Sequence, residues 1–135
     1  MPAKPLLLVI GFVNLLVLGF LLPFMPGELL AAQDPLFFSG AGVLMIGLWG
    51  AAYLATINYW QLLPGLMWVF ALEKTVFALR WGWWFTEHHN QIPAIAEQSI
   101  IVALFYGGYG LWDAACAMAF AVLAWQGKQM RTARQ

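Results

Sequence analysis

Long apolar stretches alternate along the chain with short polar or proline-marked breaks. About 20 apolar residues suffice for a helix to cross ~30 Å of hydrocarbon, and four stretches meet that length: 5–22, 36–58, 62–84 and 99–125. Pro5 and Pro64 suit first helical turns, and Pro23 stops the first run. Backbone polar groups in lipid must be satisfied within the segment, which leaves helices as the reading for such runs. The predicted fold is all-α, an integral membrane four-helix transmembrane bundle forming one domain over residues 1–135. Lys4 before the first run resembles a signal peptide. The run is longer than a signal core, however, and no small-residue cleavage site follows it, so a retained helix is expected.

Composition agrees with lipid as the solvent: 63% of the 135 residues are hydrophobic and 9% are charged. Six basic and six acidic residues leave no net charge, which argues against nucleic acid as a partner. The single cysteine, Cys116, excludes an internal disulfide and a redox thiol pair. It reads as a small packing residue. Lys4 precedes the first span, while Lys128, Arg131 and Arg134 follow the last. The first loop carries Glu28 and Asp34 and no basic residue, so both termini are expected on the cytoplasmic side. Tyr59, Trp60 and Trp125 are placed at the inner interface and Trp81, Trp83 and Trp84 at the outer one, as anchors.

Small residues let lipid-immersed helices approach closely. Gly40, Gly47, Ala51 and Ala55 provide such points on the second span, Ala117, Ala121 and Ala124 on the fourth, and Gly11 and Gly19 on the first. Gly107, Gly108 and Gly110 crowd three glycines into four residues, where a kink or an exposed backbone patch is expected.

Four charged residues fall inside the spans, where each costs roughly 2.5–3.5 kcal/mol on the insertion scale: Glu73, Lys74 and Arg80 on the third and Asp113 on the fourth. At about 1.5 Å per residue, Glu73 lies ~17 Å, Asp113 ~20 Å and Asn14 ~14 Å from the cytoplasmic end. They share a layer near the midplane. Glu73, Phe77 and Arg80 fall on one stripe, with Lys74 turned ~100° away, and Tyr106, Tyr109 or Gly110, and Asp113 share a face. Asp113 is therefore expected to pair with Lys74 or Arg80, with a tyrosine hydroxyl completing the network. Such a network either fixes helix register or lines a ligand cavity, and both readings stand at this point. Glu87, His88, His89 and Asn90 form a solvated loop cluster. Adjacent histidines lack the spacing of metal ligands, so no metal site is predicted, and no cofactor.

The opening GFVNLLVLGFLLPFMPGELL and the glycine-rich FFSGAGVLMIGLWGAAYL, set in a layout of four spans, resemble the DoxX-like group of small bacterial membrane proteins. The resemblance covers the layout and the first half better than the second, and PGLMWVFALEK in the third span is not a signature of that group. It implies a bacterial inner-membrane protein, often an accessory subunit, and transfers no catalytic residue.

The function expected is therefore a membrane binding or accessory protein. Its buried site, drawn from Asn14, Glu73, Lys74, Arg80, Tyr106, Tyr109 and Asp113, would take a small or lipid-like amphipathic ligand, and its partners would be the bilayer, a second copy or a larger subunit. The alternatives are a small proton-coupled transporter acting as a dimer and an enzyme using Glu73 and Asp113 on a lipid-like substrate.

Overall fold

The computed structural model describes residues 3–16 and 27–133, and every element among them is a helix. In chain order these are α1 (Ala3–Leu16), α2 (Gly27–Gln33), α3 (Pro35–Phe38), α4 (Gly40–Ala55), α5 (Pro64–His88), α6 (Ile92–Gln98) and α7 (Ile100–Thr132). Single 3₁₀ turns at Trp60–Leu62 and His89–Gln91 flank α5. One described helix, Ile100–Thr132, is both long and apolar enough to cross a membrane. The 25 residues of α5 would reach ~37 Å, but that helix carries Glu73, Lys74 and Arg80. The last part of the first predicted span (17–22), Gly19 and Arg134 lie outside the described residues.

Local chemistry moves several predicted boundaries. The second predicted span is broken at Ser39, whose extended backbone ends α3 and whose hydroxyl accepts from Gly42 N (3.4 Å) to cap α4. Gly42 is required there, since a Cβ would collide with the Phe37 carbonyl. At its other end α4 stops at Ala55, and Thr56 turns its hydroxyl back onto the Tyr53 carbonyl (2.8 Å). Pro64 begins α5 as expected, and Ser99 caps α7 through Val102 N (3.4 Å). α7 is continuous through Gly107 and Gly108, Gly107 lies exposed, and Gly110 is the bare surface on which the Trp81 indole lies.

The long helices associate as two pairs, α1 with α4 and α5 with α7. Within the first pair the backbones nearly touch, because Gly11 and Gly50 face each other. This corrects the predicted stripe: Gly47 is buried, but Ala51 and Ala55 are exposed, and Gly50 is the residue that makes the approach. Within the second pair, Trp81 covers Gly110 and donates to the Tyr106 carbonyl (2.7 Å).

Large aromatic side chains fill the space between the pairs. They form two apolar clusters, one around Tyr53, Phe70 and Phe120, the other around Phe38, Trp84 and Tyr106. Trp60 and Trp84 are core residues (7% and 1% exposed), contrary to their predicted role as interfacial anchors, whereas Tyr59, Trp83 and Trp125 point outward. Trp84 stacks on His88 (5.6 Å between ring centroids), and the Nδ1 atoms of His88 and His89 face the Trp84 and Phe85 carbonyls at the end of α5.

Candidate functional site

Between the two clusters lies a layer of polar side chains. Lys74 follows the buried stripe Met67–Phe70–Ala71 on α5, so helical periodicity carries its ammonium inward. There Lys74 Nζ donates to Asp113 Oδ1 (2.8 Å) on α7 and to Asn14 Oδ1 (3.1 Å) on α1. The Asn14 amide nitrogen in turn donates to the Ile46 carbonyl on α4 (3.2 Å), so the centre ties all four long helices together. Asn14, Lys74 and Asp113 are 3%, 3% and 6% exposed. Close backbone approach at Gly11 and Gly50 brings Asn14 within reach, since the Asn14 Cβ itself packs on Gly50.

The remaining sequence-derived site residues do not all join this centre. Glu73 accepts a hydrogen bond from the Tyr53 hydroxyl, while its Oε1 is buried without a partner among the described residues. Arg80 pairs with Asp34 and not with Asp113: its Nε lies 2.7 Å from Asp34 Oδ2, and its guanidinium stacks over Trp83. The Tyr106 hydroxyl donates to the Leu30 carbonyl (2.9 Å). Tyr109 is buried, and its hydroxyl has no partner among the described residues. The tyrosine expected to complete the Asp113 network is thus absent from it.

Two residues escaped the sequence reading. Tyr53 was passed over within a glycine-rich helix, and Asp34, placed in the first loop, is fully buried. Asp34-Pro35 ahead of an apolar run is a helix-start signal, but the carboxylate caps nothing there and goes to Arg80 instead. Except for the Lys74–Asp113 pair itself, the links to Asn14, Glu73, Asp34 and Leu30 all cross from one half of the molecule to the other.

A cavity of about 190 Å³ opens on the Lys74 side of this layer. Asn14, Lys74 and Asp113 supply its polar edge, and the walls are mainly aromatic, with Phe38, Phe77, Phe105, Tyr109 and Trp112. Comparison with known protein families, with characterised proteins and with solved structures finds no match. What the site can do therefore follows from its own chemistry. A lysine and an aspartate held together at the edge of an aromatic cleft present both donors and acceptors to a guest, with no net charge between them.

Removing the Tyr53 hydroxyl tests the second polar link. Tyr53→Phe deprives Glu73 of the one hydrogen bond it makes among the described residues and is expected to destabilise the fold by about 1–3 kcal/mol. Adding Glu73→Leu should return most of that loss, because an apolar pair leaves no orphaned group. Unfolding in detergent followed by circular dichroism reads both, and equal stability of Tyr53→Phe and the parent would remove this bond from the account.

Proposed function

We propose that the chain is an integral membrane protein whose helices α1, α4, α5 and α7 form a four-span bundle with cytoplasmic termini, and that it binds a small or lipid-like amphipathic molecule at its buried polar centre, alone or as an accessory to a larger subunit. The observation that carries this reading is a Lys74–Asp113 pair, nearly inaccessible, at the edge of an aromatic cavity. Ionisable side chains at such depth are costly, and in lipid-facing bundles they mark sites more often than ornament.

The distribution of side chains supports the membrane part. Outward faces carry Leu8 and Phe12 on α1, Leu44 and Leu48 on α4, Leu72 and Leu79 on α5, and Leu104 and Met118 on α7, each about half exposed or more. The exposed charges Lys4, Glu28, Glu87, Glu97, Lys128 and Arg131 sit at or beyond the helix ends. Lys4 reaches Asn58 Oδ1 (3.0 Å), and Gly127 packs near Pro64, so the start of α1 and the last turns of α7 lie at the same end of the bundle. That end carries the basic excess. The DoxX-like layout points in the same direction, to a bacterial inner membrane.

Glu73 favours a second reading, a proton-coupled carrier. Lys74 is matched by Asp113 and Arg80 by Asp34, which leaves Glu73 as the interior acid with no cationic partner among the described residues. The carrier predicts pH-dependent flux in liposomes that Glu73→Gln abolishes. An enzyme with Glu73 and Asp113 as paired carboxylates is less well served, because Glu73 does not line the cavity.

Native mass spectrometry of protein released from lipid nanodiscs tests the favoured reading. A bound small molecule is expected on the parent and should be lost from the Lys74→Met/Asp113→Leu double variant, in which the charges are removed together. Retention of the molecule by the double variant would move binding elsewhere, and release of the chain from membranes by an alkaline carbonate wash would end the membrane assignment.

A further inference from the structure

The exposed charges divide between the two ends of the bundle, and the basic end has a chemistry of its own. We propose that the surface formed by the start of α1, the turn at 56–63 and the last turns of α7 binds anionic phospholipid headgroups in preference to zwitterionic ones. This rests on the membrane reading and concerns a surface separate from the polar centre.

Charge is the first observation. Lys4, Lys128 and Arg131 are exposed at this end, and Arg134 adds a fourth basic residue in sequence. The acidic residues all lie elsewhere. Glu73 and Asp113 belong to the central layer, Asp34 is paired with Arg80, and Glu28, Glu87 and Glu97 sit at the opposite end. Lys4 bonds to the neutral Asn58 amide (3.0 Å), so no carboxylate offsets its charge.

Placement is the second. Asn58, which Lys4 reaches, belongs to the turn, and Gly127 packs beside Gln61 and Pro64 at the far side of that turn. Lys128 and Arg131 therefore emerge next to the segment that Lys4 touches. Counted at about 1.5 Å per residue, Lys128 stands ~22 Å from the layer of Asp113. Half a bilayer measures ~15 Å of hydrocarbon and ~20–22 Å with its headgroups, so a centre at the midplane sets Lys128 level with the phosphates. Trp125, exposed one turn earlier, falls at the boundary where indoles settle, and the exposed Tyr59 lies on the turn itself.

Donor chemistry is the third. Trp125, Lys128, Gln129 and Thr132 line a surface groove on α7, which sets an indole beside an ammonium and an amide. A phosphodiester brings acceptors and a negative charge, the complement of donors that have no acidic neighbour. A zwitterionic lipid carries the same phosphate, but its own cation cancels the attraction.

The test releases the protein from nanodiscs made of equal parts dioleoylphosphatidylglycerol and dioleoylphosphatidylcholine, and counts the lipids it keeps by native mass spectrometry. Phosphatidylglycerol should be enriched at least about fivefold among them, the scale of one basic side chain at an anionic surface. Lys4→Gln/Lys128→Gln/Arg131→Gln/Arg134→Gln should return the ratio to parity and leave the unfolding temperature in phosphatidylcholine nanodiscs unchanged. Glu28→Gln/Glu87→Gln/Glu97→Gln, at the other end, should leave the enrichment in place. Parity on the parent overturns the proposal. Enrichment that survives the quadruple basic variant, or that vanishes in the acidic one, overturns it as well by placing the lipid elsewhere. An alkaline carbonate wash of the parent keeps the two readings apart: release ends the membrane assignment, whereas retention together with parity ends only the lipid preference. Should the quadruple variant fail to insert, Lys128→Gln/Arg131→Gln, which keeps the Lys4–Asn58 bond, should at least halve the enrichment, and an unchanged ratio overturns the proposal.

Discussion

Asp113→Leu is expected to cost about 3–5 kcal/mol of stability, the largest loss from any single substitution at the polar centre. The reason is what the change leaves behind. Lys74, 3% exposed, would keep only the neutral Asn14 amide as a partner among the described residues, and an ammonium buried without a counter-ion is far costlier than the pair is favourable. Lys74→Met in the same chain should therefore return most of the loss, and the double variant should approach the parent in stability while losing the proposed ligand. The order is informative: two substitutions less harmful than one. A charge exchange, Lys74→Asp with Asp113→Lys, provides a second check under the same unfolding assay. If it fares no better than either single change, the two side chains do not interact as described.

How much of this could be read from the sequence depends on what each inference rested on. The all-helical architecture followed from the length and continuity of the apolar runs. Counting rise along two antiparallel helices placed Asp113 in one layer with Glu73 and left Lys74 and Arg80 as its candidate partners, of which the structure pairs it with Lys74. Asn14 fell at matching depth by the same count, and in the structure it bonds to Lys74. Counting by Cα height misses pairs whose side chains lean toward each other. Tyr53 starts near the end of α4, at a height well below Glu73. Side chains on helices tilt toward the N-terminus, and α4 and α5 run in opposite directions, so the Tyr53 ring leans toward mid-bundle and Glu73 leans to meet it. No spacing rule along a single helix contains that pair.

Arg80 failed for a different reason. The four charges counted as interior summed to zero, which made Arg80 look like a partner for the mid-layer acids. Burial of Asp34 adds a fifth interior charge and changes the pairing. Arg80 lies nearer the far end of α5, where the entry to α3 brings Asp34 to it. The result is two separated ion pairs and a lone glutamate in place of one four-membered network. The short helices α2 and α6 were read as loops because each covers only seven residues, too few for a periodic apolar face to register. Leu30 and Ile95 nevertheless contribute buried side chains to the second cluster, with the Leu30 carbonyl accepting from Tyr106.

The same substitution at two glycines should have opposite signs. At Gly50 an added methyl would stand 2.8 Å from the Asn14 Cβ and 2.9 Å from the Gly11 carbonyl oxygen. The latter is backbone and cannot rotate aside, so α1 and α4 must separate. Gly50→Ala is expected to cost about 1–3 kcal/mol through this overpacking. Gly107, exposed within the continuous α7, has nothing within 4 Å of the same methyl. There the helical preference of alanine should stabilise by up to about 1 kcal/mol. The Gly50 change has a further consequence, because the displaced helix carries Asn14. Moving Asn14 away from Lys74 removes a hydrogen bond of 3.1 Å from the centre, so Gly50→Ala should also weaken ligand retention although its methyl group never reaches the cavity. Thermal unfolding of both variants, with native mass spectrometry of the ligand-bearing fraction, separates these effects. A Gly50→Ala protein as stable as the parent would mean that α1 and α4 do not approach through Gly11 and Gly50, and the placement of Asn14 beside Lys74 would lose its support.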